Sequence, residues 1–200
     1  MNRRPLGCVV EIAETLILTL IIFLVIQTFV AQPYRVEQES MLRTLEQDQY
    51  VLVDKLTPRF DDYSRGDIVV FQPPGDSEGA VPFIKRVIGV PGDQLEIRDG
   101  TVYVNGAELD EPYVFSGPTN VLDGRGSWSI PAGSLFVMGD NRNNSTDSRS
   151  GTIGPVPISN VIGRAWLRYW PINTLGILPT PTYPNVPPAA GTSLLVAHPP

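Results

Sequence analysis

An apolar stretch from Val9 to Ala31 constrains this chain more than any other feature. Glu11 and Glu14 fall in its first turns, and no charged residue occurs between Leu16 and Ala31. A membrane-spanning helix needs about 20 predominantly apolar residues at about 1.5 Å of rise each. The two glutamates sit at one end, within reach of headgroups and water. Arg3 and Arg4 precede the stretch and predict a cytoplasmic N-terminus. The competing reading is a cleaved secretion signal. Its apolar region would be unusually long, and the bulky Phe29 fits poorly three residues before a cut after Ala31. The expected layout is therefore a cytoplasmic segment 1–8, a single-pass anchor 9–31 in the plasma membrane, an extracytoplasmic domain 32–178, and a tail 179–200. The tail carries seven prolines and reads as disordered.

Beyond Tyr34 the pattern turns to β. Tyr50–Asp54, Asp67–Phe71, Phe83–Val90, Gln94–Arg98, Thr101–Asn105 and Ser134–Met138 are short runs rich in β-branched and aromatic residues. Turn residues separate them, and Asp99-Gly100 between two apolar runs predicts a hairpin. The 20 prolines and 18 glycines suit a loop-rich β protein better than a helical bundle. The expected fold class is mostly β, with packed antiparallel sheets behind one N-terminal transmembrane helix. A net charge of −6 argues against nucleic acid as a partner, because phosphate binding requires a basic face.

The sparsest residue types restrict the chemistry. The single histidine, His198, lies near the end of the tail, and the single cysteine, Cys8, lies before the anchor. A Ser-His-Asp triad, a cysteine nucleophile and a zinc site are excluded, and no metal or cofactor is expected. What remains is a carboxylate pair, or a hydroxyl nucleophile with a non-histidine base. Arginine stays protonated, so a cationic base is Lys55 or Lys85, the only two lysines. Lys55 follows Asp54, which favours its charged form. Lys85 alternates with Phe83, Val87 and Gly89 on one strand face. Desolvation among apolar neighbours lowers an ammonium pKa, and a neutral amine can take a proton from serine. The plainer alternative is a lysine on a solvent-facing strand edge.

Four segments bear a family resemblance. Val36 to Leu45 (VEQESMLRTL) resembles the nucleophile box of type I signal peptidases, and Arg65 to Phe71 (RGDIVVF) is similar to a second box. Ile84 to Asp93 (IKRVIGVPGD) is similar to the box that holds the base, and Leu135 to Arg149 (LFVMGDNRNNSTDSR) to the last one. They occur in family order. The resemblance implies a membrane-anchored Ser-Lys serine protease that removes signal peptides from exported preproteins after small residues at −1 and −3. Its fold would be an antiparallel β catalytic domain, like that of the SOS-repressor proteases, with a small β subdomain inserted at about 91–133. Ser40 would be the nucleophile, Lys85 the general base and Ser145 the group that orients it. The Ser40 backbone N–H and Gln38 would hold the oxyanion. Val36, Leu45 and Ile84 would line the substrate pockets, while Asp140, Arg142, Asp147 and Arg149 would shape the loops around the site. Partners would be signal peptides, membrane lipid and the secretion translocon.

Two positions depart from the family pattern. Gln38 stands where serine or glycine is common, and Arg43 where proline is usual. Loss of the proline removes a fixed φ from the turn after Ser40. Trp166, Tyr169 and Trp170, within Arg164–Leu178, read equally well as a membrane-interface patch or as a final core strand and loop. Two other functions stay open. One is a self-cleaving Ser-Lys protease of the SOS-repressor type, disfavoured by the anchor and the acidic charge. The other is an anchored, non-enzymatic β module that binds envelope proteins.

Overall fold

The structure is a computed structural model and describes residues 5–75, 81–115 and 117–189. Arg3, Arg4 and the tail from residue 190, with His198, lie outside the described residues. The chain opens with helix α1, Pro5–Val25, continued by a π-helical turn Ile26–Val30. The stretch Val9–Val30 is long and apolar enough to cross a membrane, and none of it packs inside the protein. The anchor and the β body are continuous, for the strand β1, Ala31–Arg35, follows the π turn directly.

The remaining strands are β2 Tyr50–Asp54, β3 Ile68–Phe71, β4 Phe83–Gly89, β5 Gln94–Arg98, β6 Thr101–Val104, β7 Ala107–Glu108, β8 Ser127–Ser129, β9 Ser134–Met138, β10 Val156–Pro157, β11 Val161–Trp170 and β12 Gly176–Ile177. Among the described residues they form two antiparallel sheets. The larger runs β1-β2-β11-β3-β4-β9-β10, with β12 added to β11. The smaller runs β7-β6-β5-β8 and is built entirely from Ala107, its neighbours and the rest of the segment between β4 and β9. Its central hairpin turns at Asp99 and Gly100, both at positive φ (49° and 81°), as a two-residue hairpin turn demands.

Burial explains the strand compositions. In β3 every residue is buried, because Ile68 and Val70 face one core cluster while Val69 and Phe71 face another. A strand covered on both faces reads as an unbroken apolar run. In β5 and β6 only alternate residues are buried, and Leu95, Ile97, Val102 and Val104 meet Trp128, Ile130 and Phe136 in a third cluster. Strand β4 touches all three clusters through Ile84, Val87 and Ile88. It is the most thoroughly fixed strand near the site, and it carries Lys85.

The disordered reading of the tail does not hold for residues 179–189. Val186 is buried in the core of the smaller sheet, and the Pro179 and Pro187 carbonyls accept side-chain hydrogen bonds from the body. Prolines cannot donate to a ladder, but their carbonyls still accept, and a pre-set φ lowers the entropy lost on docking. The segment around Trp166 belongs to β11 and leaves Trp166 and Trp170 exposed.

Candidate active site

Lys85 is fully buried, paired across the ladder with Val69 and set beside the Phe83 ring, whose centroid lies 5.0 Å from Nζ. Its Nζ contacts Ser40 Oγ at 2.7 Å and the Ile84 carbonyl oxygen at 3.1 Å. Burial pulls the Lys85 pKa down from 10.5 to about 8, against an upward pull from Asp147 and Asp140. Lys55 instead donates to Gln32 Oε1 on the edge strand.

Ser40 sits in a single 3₁₀ turn, Glu39–Met41, that follows extended Gln38. Met41, buried beneath it, and the bond from Leu45 N to Met41 O hold the turn to the core. The Ser40 carbonyl accepts from Asn141 N at 2.9 Å, and the Glu39 carbonyl accepts from Asn141 Nδ2. Gly139 makes this approach possible, because a Cβ there would collide with the Ser40 carbonyl oxygen and with Ser145. A cleft lined by Gln38, Glu39, Ser40, Phe83, Asn144, Ser145 and Thr146 opens above the pair. Ser145 lines it, yet its buried Oγ has no hydrogen-bond partner among the described residues. The expected bond from Ser145 to Lys85 is thus absent from this structure, where the amine is engaged by Ser40 and a main-chain carbonyl instead.

A second depression adjoins the first, lined by the segment Tyr34, Arg35, Val36, Glu37 and Gln38 with Val51, Val70, Pro82 and Ile84. Of the three expected pocket residues, Val36 and Ile84 reach it. Leu45 does not line it; it is wholly buried in the cluster that contains both.

The four loop residues are all buried and each is in an ion pair. Asp140 takes two bonds from Arg86, at 2.8 and 2.7 Å, and one from Thr44 Oγ1 at 2.5 Å. Asp147 takes two from Arg149 at 2.9 and 2.8 Å and one from Gly139 N at 3.0 Å. Arg142 forms a fork on Glu111 and donates to Thr119 Oγ1 at 2.8 Å. Such forked pairs set geometry as well as charge. Arg86, Thr44, Glu111 and Asn141 were not singled out from sequence. The Lys85-Arg86 adjacency contained a signal for one of them. A strand buried on both faces must bury consecutive basic residues on opposite sides, and the outer one then needs an acid. Glu111 has no comparable signal.

Arg43 takes φ +74° in the turn after Ser40, and its guanidinium lies 5.2 Å from the Phe115 ring centroid. A proline, locked near −65°, does not fit that backbone. No group of three or more His, Cys, Asp or Glu able to hold a metal occurs among the described residues.

Residues 9–170 match the family model described as signal peptidase, peptidase S26. The chain is 43% identical over 176 residues to the signal peptidase I of Leptolyngbya laminosa, covering 85% of this chain and 84% of that protein. It is 34% identical over 175 residues to the signal peptidase I S of Bacillus subtilis, covering 84% and 92% respectively. With the signal peptidase I of Bacillus caldolyticus it shares 38% identity over 157 residues, 73% of this chain and 83% of that one. By both the family match and these identities, the chain belongs to the signal peptidase (peptidase S26) family.

Proposed function

We propose that this chain is a membrane-anchored serine endopeptidase that removes signal peptides from exported preproteins, with Ser40 as nucleophile and Lys85 as general base. The observation that carries the reading is the 2.7 Å contact between Ser40 Oγ and a fully buried lysine amine. As the neutral amine, Lys85 accepts the Ser40 proton while Oγ attacks the scissile carbonyl carbon. The resulting ammonium donates that proton to the departing amine, leaving an acyl-enzyme. The amine then takes a proton from the water that attacks the ester and returns it to Ser40 Oγ as the ester C–O bond breaks, releasing the carboxylic acid and restoring the hydroxyl and the neutral amine. The Ser40 N–H and the Gln38 side-chain amide stabilise the developing oxyanion. Ser145 Oγ, buried in the same cleft without a partner, is the hydroxyl available to orient the amine after proton transfer.

The substrate enters as an added strand. Residues 34–38 and 82–84 flank the second depression, so an extended peptide between them would place alternate side chains against Val36 and Ile84. A shallow apolar floor backed by buried Leu45 admits alanine and excludes larger residues by steric conflict. Arg3 and Arg4 support a cytoplasmic N-terminus, with the catalytic body on the opposite face of the plasma membrane. Exposed Trp166 and Trp170, with exposed Ile172, Leu175 and Ile177, suit contact with lipid near the anchor and with preproteins leaving the translocon. Neither a self-cleaving repressor nor a passive binding module is favoured by relatives that are signal peptidases along most of the chain.

The test is preprotein cleavage by purified full-length variants in detergent or vesicles. Ser40→Ala and Lys85→Ala should each lose at least about 10³-fold in kcat, and the double variant should lose no more. Lys85→Arg should fail equally, because arginine keeps the charge without the basicity. Substantial cleavage by Lys85→Arg would remove lysine as the base.

A further inference from the structure

The family match ends at residue 170, and the chain then crosses both sheets. Leu178 is buried with the larger sheet's core and Val186 with the smaller sheet's core. Between them a turn with Pro184 at its second position closes from Val186 N to Tyr183 O. Pro181 lies against Gly66, where a Cβ would come within 2.6 Å of the Pro181 carbonyl oxygen. Pro187 O accepts from Asn105 Nδ2 at 2.9 Å, and Asn185 Nδ2 donates to Glu108 O at 2.7 Å.

The segment also reaches the site. The Tyr183 and Tyr113 hydroxyls are 2.8 Å apart, and the Arg86 guanidinium lies 4.0 Å from the Tyr113 ring centroid. Arg86 Nη1 approaches Pro179 O at 3.4 Å while its other nitrogens grip Asp140. Asp140 precedes Asn141, whose N–H holds the Ser40 carbonyl, and Arg86 follows Lys85 on the same strand. A contiguous path of hydrogen bonds, one cation–π contact and the peptide links Asp140-Asn141 and Lys85-Arg86 therefore joins Tyr183 to both members of the Ser40–Lys85 pair.

We propose that residues 178–189 are a strap that positions the Ser40–Lys85 pair, with Tyr183 acting as a positioning residue through Tyr113, Arg86 and Asp140. The proposal rests on the protease reading only for its kinetic consequence. Losing the Tyr183 hydroxyl leaves Tyr113 held only by its bond to Glu111 Oε1 at 3.0 Å, which lets the ring shift against Arg86, loosens the Arg86–Asp140 fork, and misplaces Ser40 without touching the peptide cleft.

The experiment compares the full-length protein with Tyr183→Phe, Tyr113→Phe, the double variant, and a chain ending at Leu178. Preprotein cleavage and thermal unfolding are measured alongside NMR of lysine-labelled protein. Only Lys55 and Lys85 contribute signals, and Lys55→Ala assigns them. Tyr183→Phe should lower kcat about 3- to 10-fold, the scale of one lost hydrogen bond, with KM within two-fold. The double variant should lose no more than Tyr113→Phe alone, which removes the bond to Glu111 as well as the one to Tyr183. The Lys85 signal should move while that of Lys55 stays. A lower unfolding temperature with kcat and the Lys85 signal both unchanged would reduce the strap to a stabiliser and overturn the proposal. Should the wild type cleave no preprotein, the protease reading fails, and the strap is then decided by the Lys85 signal alone.

Discussion

In the proposed mechanism Lys85 carries two opposed demands, since a base must shed its proton near working pH and a folded core must not hold a bare charge. Burial meets the first demand at a cost to the second. Its pKa falls to about 8 in the folded protein from 10.5. The folded state thus binds the proton more weakly than the unfolded chain does. That penalty is complete below about pH 8 and fades as pH rises toward 10.5, where it amounts to nothing. The gap corresponds to about 3 kcal/mol. Lys85→Met should therefore raise stability most near pH 7, with the gain disappearing above about pH 10.5. Denaturant midpoints at the two pH values measure this, and a gain independent of pH would mean that Lys85 is not desolvated. Arg43 gives a second test at this scale. At φ +74° it occupies a backbone that glycine tolerates and proline does not. Arg43→Pro, although it restores the residue usual in the family, should destabilise by more than about 1 kcal/mol in thermal unfolding. An unchanged melting temperature would show that this turn accommodates either backbone.

At the scale of elements, the site is a junction of one turn, one strand and one loop. The turn 39–41 presents Ser40, β4 presents Lys85, and the loop after β9 reaches the turn through Asn141 and β4 through Asp140. Gly139 is where loop and turn touch. Gly139→Ala should cost about 1–3 kcal/mol by overpacking and should lower kcat by separating Asn141 from the Ser40 carbonyl. Wild-type activity in a stable Gly139→Ala protein would show that this contact does not position Ser40. Much of this junction is legible in the residues. Strands Tyr50–Asp54, Gln94–Arg98 and Ser134–Met138 have the bounds that their β-branched runs suggest. Strand Ala31–Arg35 gives no such signal, because Gln32 and Pro33 break the pattern. It forms because an edge strand leaves one row of groups unpaired and so tolerates proline. Arg142 was legible as a family residue and Arg86 was not singled out, and the particular acids they meet were legible for neither, since Arg86 with Asp140 and Arg142 with Glu111 are joined only by tertiary folding.

On the scale of the whole molecule, an apolar helix is joined without a linker to a β body, and the exposed Trp166 and Trp170 lie on β11, an interior strand of its larger sheet. The anchor is legible in the sequence because hydrocarbon imposes one simple rule on twenty residues. The tail is not, because composition reports the cost of ordering a proline-rich segment and says nothing about the Val186 pocket or the carbonyl partners that offset it. The proposed function turns on Lys85 acting as a neutral amine beside the Ser40 hydroxyl, so the most direct measurement is the pH dependence of kcat/KM for preprotein cleavage by the full-length protein. An ascending limb centred near pH 8 is expected, reporting the free-enzyme titration of Lys85. A limb centred near the ordinary lysine value of about 10.4, or no limb at all between pH 6 and 10, would contradict a desolvated lysine base.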